Sequence, residues 1–208
     1  MNLPHIRNII FDLGGVIIDL NTAATFQQFQ KSNKNPANQN LFQEDVSLFL
    51  DYEKGLISSA EFREGIRALS LNTTLTDSEI DDAWNKMLLQ IPLARLELVE
   101  RLRKDHRLFV LSNTNEIHVS AFNQIVQKTS GKPSLDHFFE KIYYSHLIKL
   151  RKPEREIYEY VVSDGGLIPK ETLFVDDREE NILAAQELGL QTFHVTPDQD
   201  ILAFFAEP

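Results

Sequence analysis

The chain contains no cysteine. That excludes disulfides and thiolate metal sites and fits a reducing compartment. No stretch approaches the ~18 consecutive apolar residues of a membrane span. The first residues, MNLPHIRNIIF, lack the long apolar stretch and small-residue cleavage site of a signal peptide. The expected location is therefore the cytoplasm, with no membrane partner. Basic charge is scarce as well: 21 Lys and Arg stand against 31 Asp and Glu, a formal net charge of −10. Without a Lys/Arg cluster, no nucleic-acid partner is expected. The histidines (His5, His106, His118, His137, His146 and His194) show no tight metal-binding spacing. Gly14-Gly15 is not a dinucleotide fingerprint, because the G-x-G-x-x-G spacing is absent. There is no internal repeat and no low-complexity tract.

What is present is an ordinary globular composition, 42% hydrophobic and 25% charged over 208 residues. That length fits one core domain with a sizeable insert, or two small domains. The run Ile6–Asp12 (IRNIIFD) is apolar and ends in an acid followed by two glycines, as a buried parallel strand opening into a turn should. Residues 21–90 read differently, as four helices and no convincing strand. Phe26 and Phe29 mark one helix, and Leu41, Phe42, Val46, Phe49 and Leu50 another. Ser58 with Glu61 and Thr76 with Glu79 form capping boxes for two more. Lys31–Asn40 reads as a loop.

Beyond Gln90, helices and strands alternate. Leu93–Lys104 and Val119–Val126 are helical. So are a segment led by Pro153 at its first position and Asn181–Leu188, with Gly189 at its stop. Strands are predicted at Arg107–Ser112, Lys141–Ser145, Leu173–Asp177 and Thr192–Val195. This alternation predicts a doubly wound α/β fold. Its parallel sheet would have five to six strands, interrupted by one helical insert. The expected division is a core of residues 1–19 and 92–208 with a helical unit of residues 20–91.

In such folds, sites form at the carboxyl ends of the strands. Four polar features fall there. Asp12 ends the first strand and Ser112 the second. Lys152 follows the third, and Asp176-Asp177 end the fourth. The mixture suits phosphate chemistry. A divalent metal between carboxylates relieves the repulsion between an anionic nucleophile and an anionic ester. Mg²⁺ takes hard oxygen ligands, which Asp12, Asp176, Asp177 and the Gly14 carbonyl supply. A lysine balances charge, and a serine hydroxyl with turn N–H groups binds phosphoryl oxygens.

Four segments in order carry a resemblance: Phe11-Asp12-Leu13-Gly14-Gly15-Val16, Leu111-Ser112-Asn113-Thr114-Asn115, Arg151-Lys152-Pro153-Glu154 and Phe174-Val175-Asp176-Asp177. Together they resemble the haloacid dehalogenase-like hydrolase superfamily over nearly the whole chain. The resemblance implies a Mg²⁺-dependent phosphatase of a small phosphorylated metabolite. Asp12 would be the nucleophile of an aspartyl-phosphate intermediate. Ser112 and Asn113 would bind phosphate, and Lys152 would balance charge. Asp177 would be the direct metal ligand with Asp176 in support, and Asn181 would hold a metal-bound water. From Asp12 to Ser112 is 100 positions, against 40 from Ser112 to Lys152. In this family that implies a helical cap inserted after the first motif. Oligomeric state is not readable.

One departure stands out. Family phosphatases usually carry an acid/base Asp two residues after the nucleophile, and this chain has Gly14 there. A proton carrier contributes ~10²–10⁴-fold, so the alternative is a slow or non-catalytic phosphoryl binder. A metal-independent dehalogenase is a further alternative, disfavoured by the Asp176-Asp177 pair. The string FDLGGVIID is also similar to a subgroup of bacterial sugar-phosphate phosphatases, glucose-1-phosphate phosphatases among them. Of the remaining polar residues, Arg151 is expected at the surface and His118 in a structural role. Trp84 is expected in helix packing, and Asp19 and Asn21 at a hinge or helix cap. Asn115 is expected either to line the site or to shape its turn.

Overall fold

The computed structural model describes residues 5–34 and 46–206. Five strands form one sheet: β1 (Asn8–Phe11), β2 (Arg107–Ser112), β3 (Lys141–Tyr144), β4 (Thr172–Asp176) and β5 (Gln191–His194). Their order is β3-β2-β1-β4-β5, and all four pairings are parallel. Alternate side chains enter opposite cores, which is why the central strands β1, β2 and β4 read as near-continuous apolar runs. Ile9, Phe11, Leu108, Val110, Leu173 and Val175 point to one face. Ile10, Phe109, Leu111 and Phe174 point to the other.

Helices cover both faces. The first face packs against α5 (Leu93–Leu102), α6 (Glu116–Ser130) and the short α10 (Ile201–Phe204) through Leu96, Val99, Phe122, Val126 and Ile201. The second packs against α8 (Arg155–Asp164) and α9 (Glu179–Glu187) through Ile157, Tyr158, Val161, Ile182 and Ala185. A one-turn helix, α7 (Ser145–Ile148), follows β3 directly. Among the described residues no helix is long and apolar enough to cross a membrane.

Among the described residues, four further helices lie between β1 and β2: α1 (Thr22–Ser32), α2 (Ser47–Glu53), α3 (Ser59–Leu69) and α4 (Asp77–Trp84). Both capping boxes form, Ser58 with Glu61 and Thr76 with Glu79. These helices share their own core, in which Phe29, Phe49, Tyr52, Phe62, Ile66 and Trp84 are buried. The rings of Phe49 and Phe62 lie 5.2 and 5.3 Å from that of Trp84. Aromatic pairs of this kind contribute ~0.5–1.5 kcal/mol each beyond burial. Ile117 of α6 joins the same cluster, so the insert is packed onto the sheet domain rather than tethered to it.

Several boundaries differ from the sequence reading. Helix α6 is longer at both ends, because Asn115 caps its start and Gly131, at φ +75°, ends it. Helix α8 begins at Arg155, two residues after Pro153. The Lys152 peptide is held instead by the Asn113 side chain, which fixes the chain outside helical geometry there. Helix α4 stops at Trp84, and a 3₁₀ turn carries Met87. The Leu41 and Phe42 part of the second helix in the insert lies outside the described residues. Its remainder is α2.

Candidate active site

Parallel pairing sets the strand ends side by side. The Asp12 N–H donates to the Val175 carbonyl at 2.8 Å, which places Asp12 just beyond β1 and next to the end of β4. Ser112 ends β2 on the other side. Sheet order changes direction around β1, and ligands of open α/β sheets bind in the crevice at such a point. Asp12, Ser112, Asn113, Lys152 and Asp177 line one cavity of about 360 Å³, and residues of the helical insert line its far side.

Lys152 is the centre of the charge network. Its side chain is 1% exposed, with Nζ 2.8 Å from Asp12 Oδ1 and 2.6 Å from Asp176 Oδ2. Burial opposes its charge, but Asp12 and Asp176 outweigh burial and hold the ammonium above its ordinary pKa. Position is set from the backbone as well. Asn113 Oδ1 accepts from the Lys152 N–H at 2.8 Å, and Asn113 Nδ2 donates to its carbonyl at 2.9 Å. Asn113 was expected to bind phosphate. Its side chain grips the Lys152 peptide, which leaves its backbone N–H and the second Nδ2 hydrogen for that task.

Asp176 is fully buried. Oδ1 accepts from the Arg178 N–H and from Asn181 Nδ2, both at 2.9 Å, while Oδ2 faces Lys152. Asn181 therefore orients Asp176, and its own carbonyl accepts from the Tyr158 hydroxyl at 3.1 Å. Asp177 is exposed toward the cavity. Gly15 explains its reach: φ is +71°, and a Cβ at that position would collide with the Asp177 carboxylate. Ser112 is buried, and its hydroxyl makes no hydrogen bond to another described residue.

Carboxylate oxygens of Asp12, Asp176 and Asp177 lie within 4.8 Å of one another. Three carboxylates against one ammonium leave an excess of negative charge, and all the donors are hard oxygens. Burial, with Asp176 and Asp177 nearby, pushes Asp12 up to about 7 despite Lys152. Burial and Asp176 raise Asp177 too. A further positive charge is what such a group needs to stay ionised at neutral pH, so the residues fit a divalent cation.

Two residues past Asp12, a methyl group at Gly14 would lie 2.6 Å from Leu20 Cδ1. An aliphatic side chain thus occupies the space where an acid would begin. Among the described residues, the other carboxyl group lining the cavity is that of Glu53, at the end of α2. Sequence reasoning missed Glu53, because nothing local distinguishes it from a solvated helix-end acid. Arg151 was expected at the surface. Its side chain is only 18% exposed and is paired with Glu53 across the boundary between insert and sheet domain. Burial raises the Glu53 carboxyl, with Arg151 opposing.

His118, Asn115 and Trp84 form one buried network. Asn115 Oδ1 accepts from Trp84 Nε1 at 3.2 Å and from the His118 N–H at 3.1 Å. The His118 ring stacks on Trp84 at 4.7 Å, with Nε2 3.2 Å from the Trp84 carbonyl. Nε2 must therefore carry the proton, and Nδ1 accepts from Asn115 Nδ2. Burial lowers this imidazole to about 4. Both nitrogens are engaged, so His118 is structural. Asn21 caps α1, and Asp19 pairs with Arg95 at 2.7 Å.

This fold and this arrangement of acids define a hydrolase class. Residues 6–189 match the model of the haloacid dehalogenase-like hydrolase family. The chain belongs to that family. It is 35% identical to the D-ribitol-5-phosphate phosphatase of Bacteroides thetaiotaomicron, over 90% of this chain and 91% of the relative. A sesquiterpene phosphatase of Aspergillus oryzae is 29% identical, over 90% and 88%. Among solved structures, a haloacid dehalogenase-like enzyme of Bacteroides thetaiotaomicron in complex with magnesium and inorganic phosphate has a TM-score of 0.85 at 39% identity. That likeness covers 97% of this chain and 100% of the neighbour.

Proposed function

We propose that this protein is a Mg²⁺-dependent phosphatase acting on a small phosphate monoester of the sugar or polyol type. The observation that carries the reading is the convergence of Asp12, Ser112, Lys152 and the Asp176-Asp177 pair at neighbouring strand ends, beneath a helical insert. The relatives that cover the chain most fully are phosphatases, one of them acting on a polyol phosphate.

An Asp12 oxygen attacks phosphorus, and the ester oxygen departs with the leaving group. The phosphoryl group then sits on Asp12, and water releases it as inorganic phosphate. Lys152 holds the carboxylate in line and offsets charge on the transferring group. The Ser112 hydroxyl donates to a phosphoryl oxygen. Asp12, Asp177 and the Gly14 carbonyl would hold Mg²⁺, with Asp176 fixed behind them. When bound, the ion polarises the phosphoryl oxygens and reduces repulsion between the ester and Asp12. Residues 20–91 act as a cap that closes the cavity and excludes bulk water, over a core of residues 1–19 and 92–208.

Gly14 supplies no proton carrier, so a departing sugar or polyol alkoxide takes its proton from water, and turnover is slow for want of general-acid help. The test is phosphate release from a panel of phosphate monoesters with Mg²⁺, by wild type and by Asp12→Asn. Wild type should release phosphate and the variant should be reduced by at least 10³-fold, order of magnitude, for loss of a covalent nucleophile. Equal release by the two proteins rejects the mechanism. Tight phosphate binding without turnover of any ester would make the chain a binder instead.

A further inference from the structure

The cavity above Asp12 has two kinds of wall. Phe26, Phe49, Leu50 and Met87 give it apolar surface on the side of the insert, whereas Glu53 and Arg151 are charged groups facing the same space. Glu53 is held in place from the sheet domain. Ser145 Oγ donates to its carbonyl at 2.6 Å, and the adjacent Lys54 pairs with Glu154 at 2.7 Å. One residue further, Gly55 at φ +64° packs so closely on the His146 carbonyl that no Cβ fits.

The side chains, by contrast, are incompletely matched. Arg151 Nη2 reaches Glu53 Oε2 at 3.3 Å, a long contact for a partly buried ion pair. Arg151 Nε is buried with no acceptor among the described residues. A buried donor left unmet is destabilising unless a ligand or water completes it.

We propose that Glu53 and Arg151 are specificity-determining residues that bind adjacent hydroxyl groups of the leaving group, with Glu53 accepting from one hydroxyl and the Arg151 guanidinium donating to another. This rests on the phosphatase reading above. Neutral hydroxyls fit better than a second anion, because Glu53 neutralises Arg151 and repels negative charge. The carbon skeleton of a linear polyol or small sugar would lie against the aromatic and aliphatic wall. About 360 Å³ is at the small end of ligand cavities, which run ~300–1,000 Å³. Because Glu53 sits on the insert and Arg151 beside Lys152, a ligand that bridges them also joins the insert to the catalytic groups.

The experiment compares kcat/KM for D-ribitol 5-phosphate and D-glucose 1-phosphate with that for p-nitrophenyl phosphate, whose leaving group has no further hydroxyl. Wild type, Glu53→Gln and Arg151→Lys are measured with Mg²⁺. Glutamine keeps the size of Glu53 without its charge, and lysine keeps the charge of Arg151 without its planar fork of donors. The ratio of the preferred sugar or polyol phosphate over p-nitrophenyl phosphate should fall about 10- to 100-fold in each variant, as expected for losing a hydrogen bond to a charged group. A ratio within twofold of wild type in both variants overturns the proposal, and so does equal loss on all substrates. Wild-type hydrolysis of p-nitrophenyl phosphate but of no sugar or polyol phosphate overturns it too, while leaving the phosphatase reading intact. Wild-type failure on every ester instead removes the phosphatase reading itself.

Discussion

Replacing Lys152 by methionine tests the charge network most directly. The ammonium lies 2.8 Å from Asp12 and 2.6 Å from Asp176, with its side chain 1% exposed. Methionine approximates its volume, so cavity formation is a minor part of the effect. What remains is two buried carboxylates without their counter-charge. Removing one partner of a buried ion pair costs about 3–5 kcal/mol. In a chain of this size 1 kcal/mol moves Tm by ~2–4 °C, so the loss should be on the order of 10 °C. Urea unfolding at pH 7.5 with a chelator present measures it without help from a bound cation. Asp176→Asn in the same background provides the control. An asparagine Oδ1 can still accept from the Arg178 N–H and Asn181 Nδ2, as Asp176 does at 2.9 Å. The Lys152→Met/Asp176→Asn double variant should therefore be more stable than Lys152→Met alone, by about 1–3 kcal/mol. A single-variant loss below about 1 kcal/mol, or two losses that simply add, would refute the view that Lys152 neutralises these acids.

Two further outcomes follow from the same geometry. Gly15→Ala puts a Cβ into the Asp177 carboxylate at a backbone φ of +71°. It should cost about 1–3 kcal/mol of stability and raise the Mg²⁺ concentration needed for half-maximal activity, read by titrating the metal; an unchanged requirement would show that Asp177 can move freely. His118 gives a pH signature. Its imidazole is lowered by burial from 6.5 to about 4. The unfolded chain thus takes up a proton below pH 6.5 that the folded chain refuses. Stability is lost as pH falls from about 6.5 to about 4, by roughly 3 kcal/mol in all. In His118→Gln that part of the pH dependence should vanish, so the gap between the two proteins narrows toward acid; a gap that stays constant from pH 7.5 to 4.5 would mean that His118 is not buried as a neutral ring.

Much of this molecule was legible in the chain itself. Strands buried on both faces read as near-continuous apolar runs, and IIF (9–11), LFVL (108–111) and LFV (173–175) are such runs. Helix starts were legible where a side chain caps its own backbone, as at Ser58 and Thr76. The acids, serine and lysine were legible because strand ends in a parallel sheet must open onto one rim. In each case the cause is local, a few residues acting on one another through short-range backbone geometry.

Tertiary structure decided what those residues touch. Asn113 reads as a turn residue, and only the fold shows it gripping the Lys152 peptide 39 positions away. Arg151 reads as a surface cation and Glu53 as a helix-end acid, yet they meet across 98 positions beside the catalytic groups. Leu20 fills the space left by Gly14, and Gly15 is required by an acid more than 160 residues downstream. Periodicity reports which face of an element is buried, whereas contacts between elements depend on how separate faces pack. The position of the proposed nucleophile, Asp12, was therefore readable from the sequence. The wall against which a leaving group would rest existed only once the insert had folded down onto the sheet.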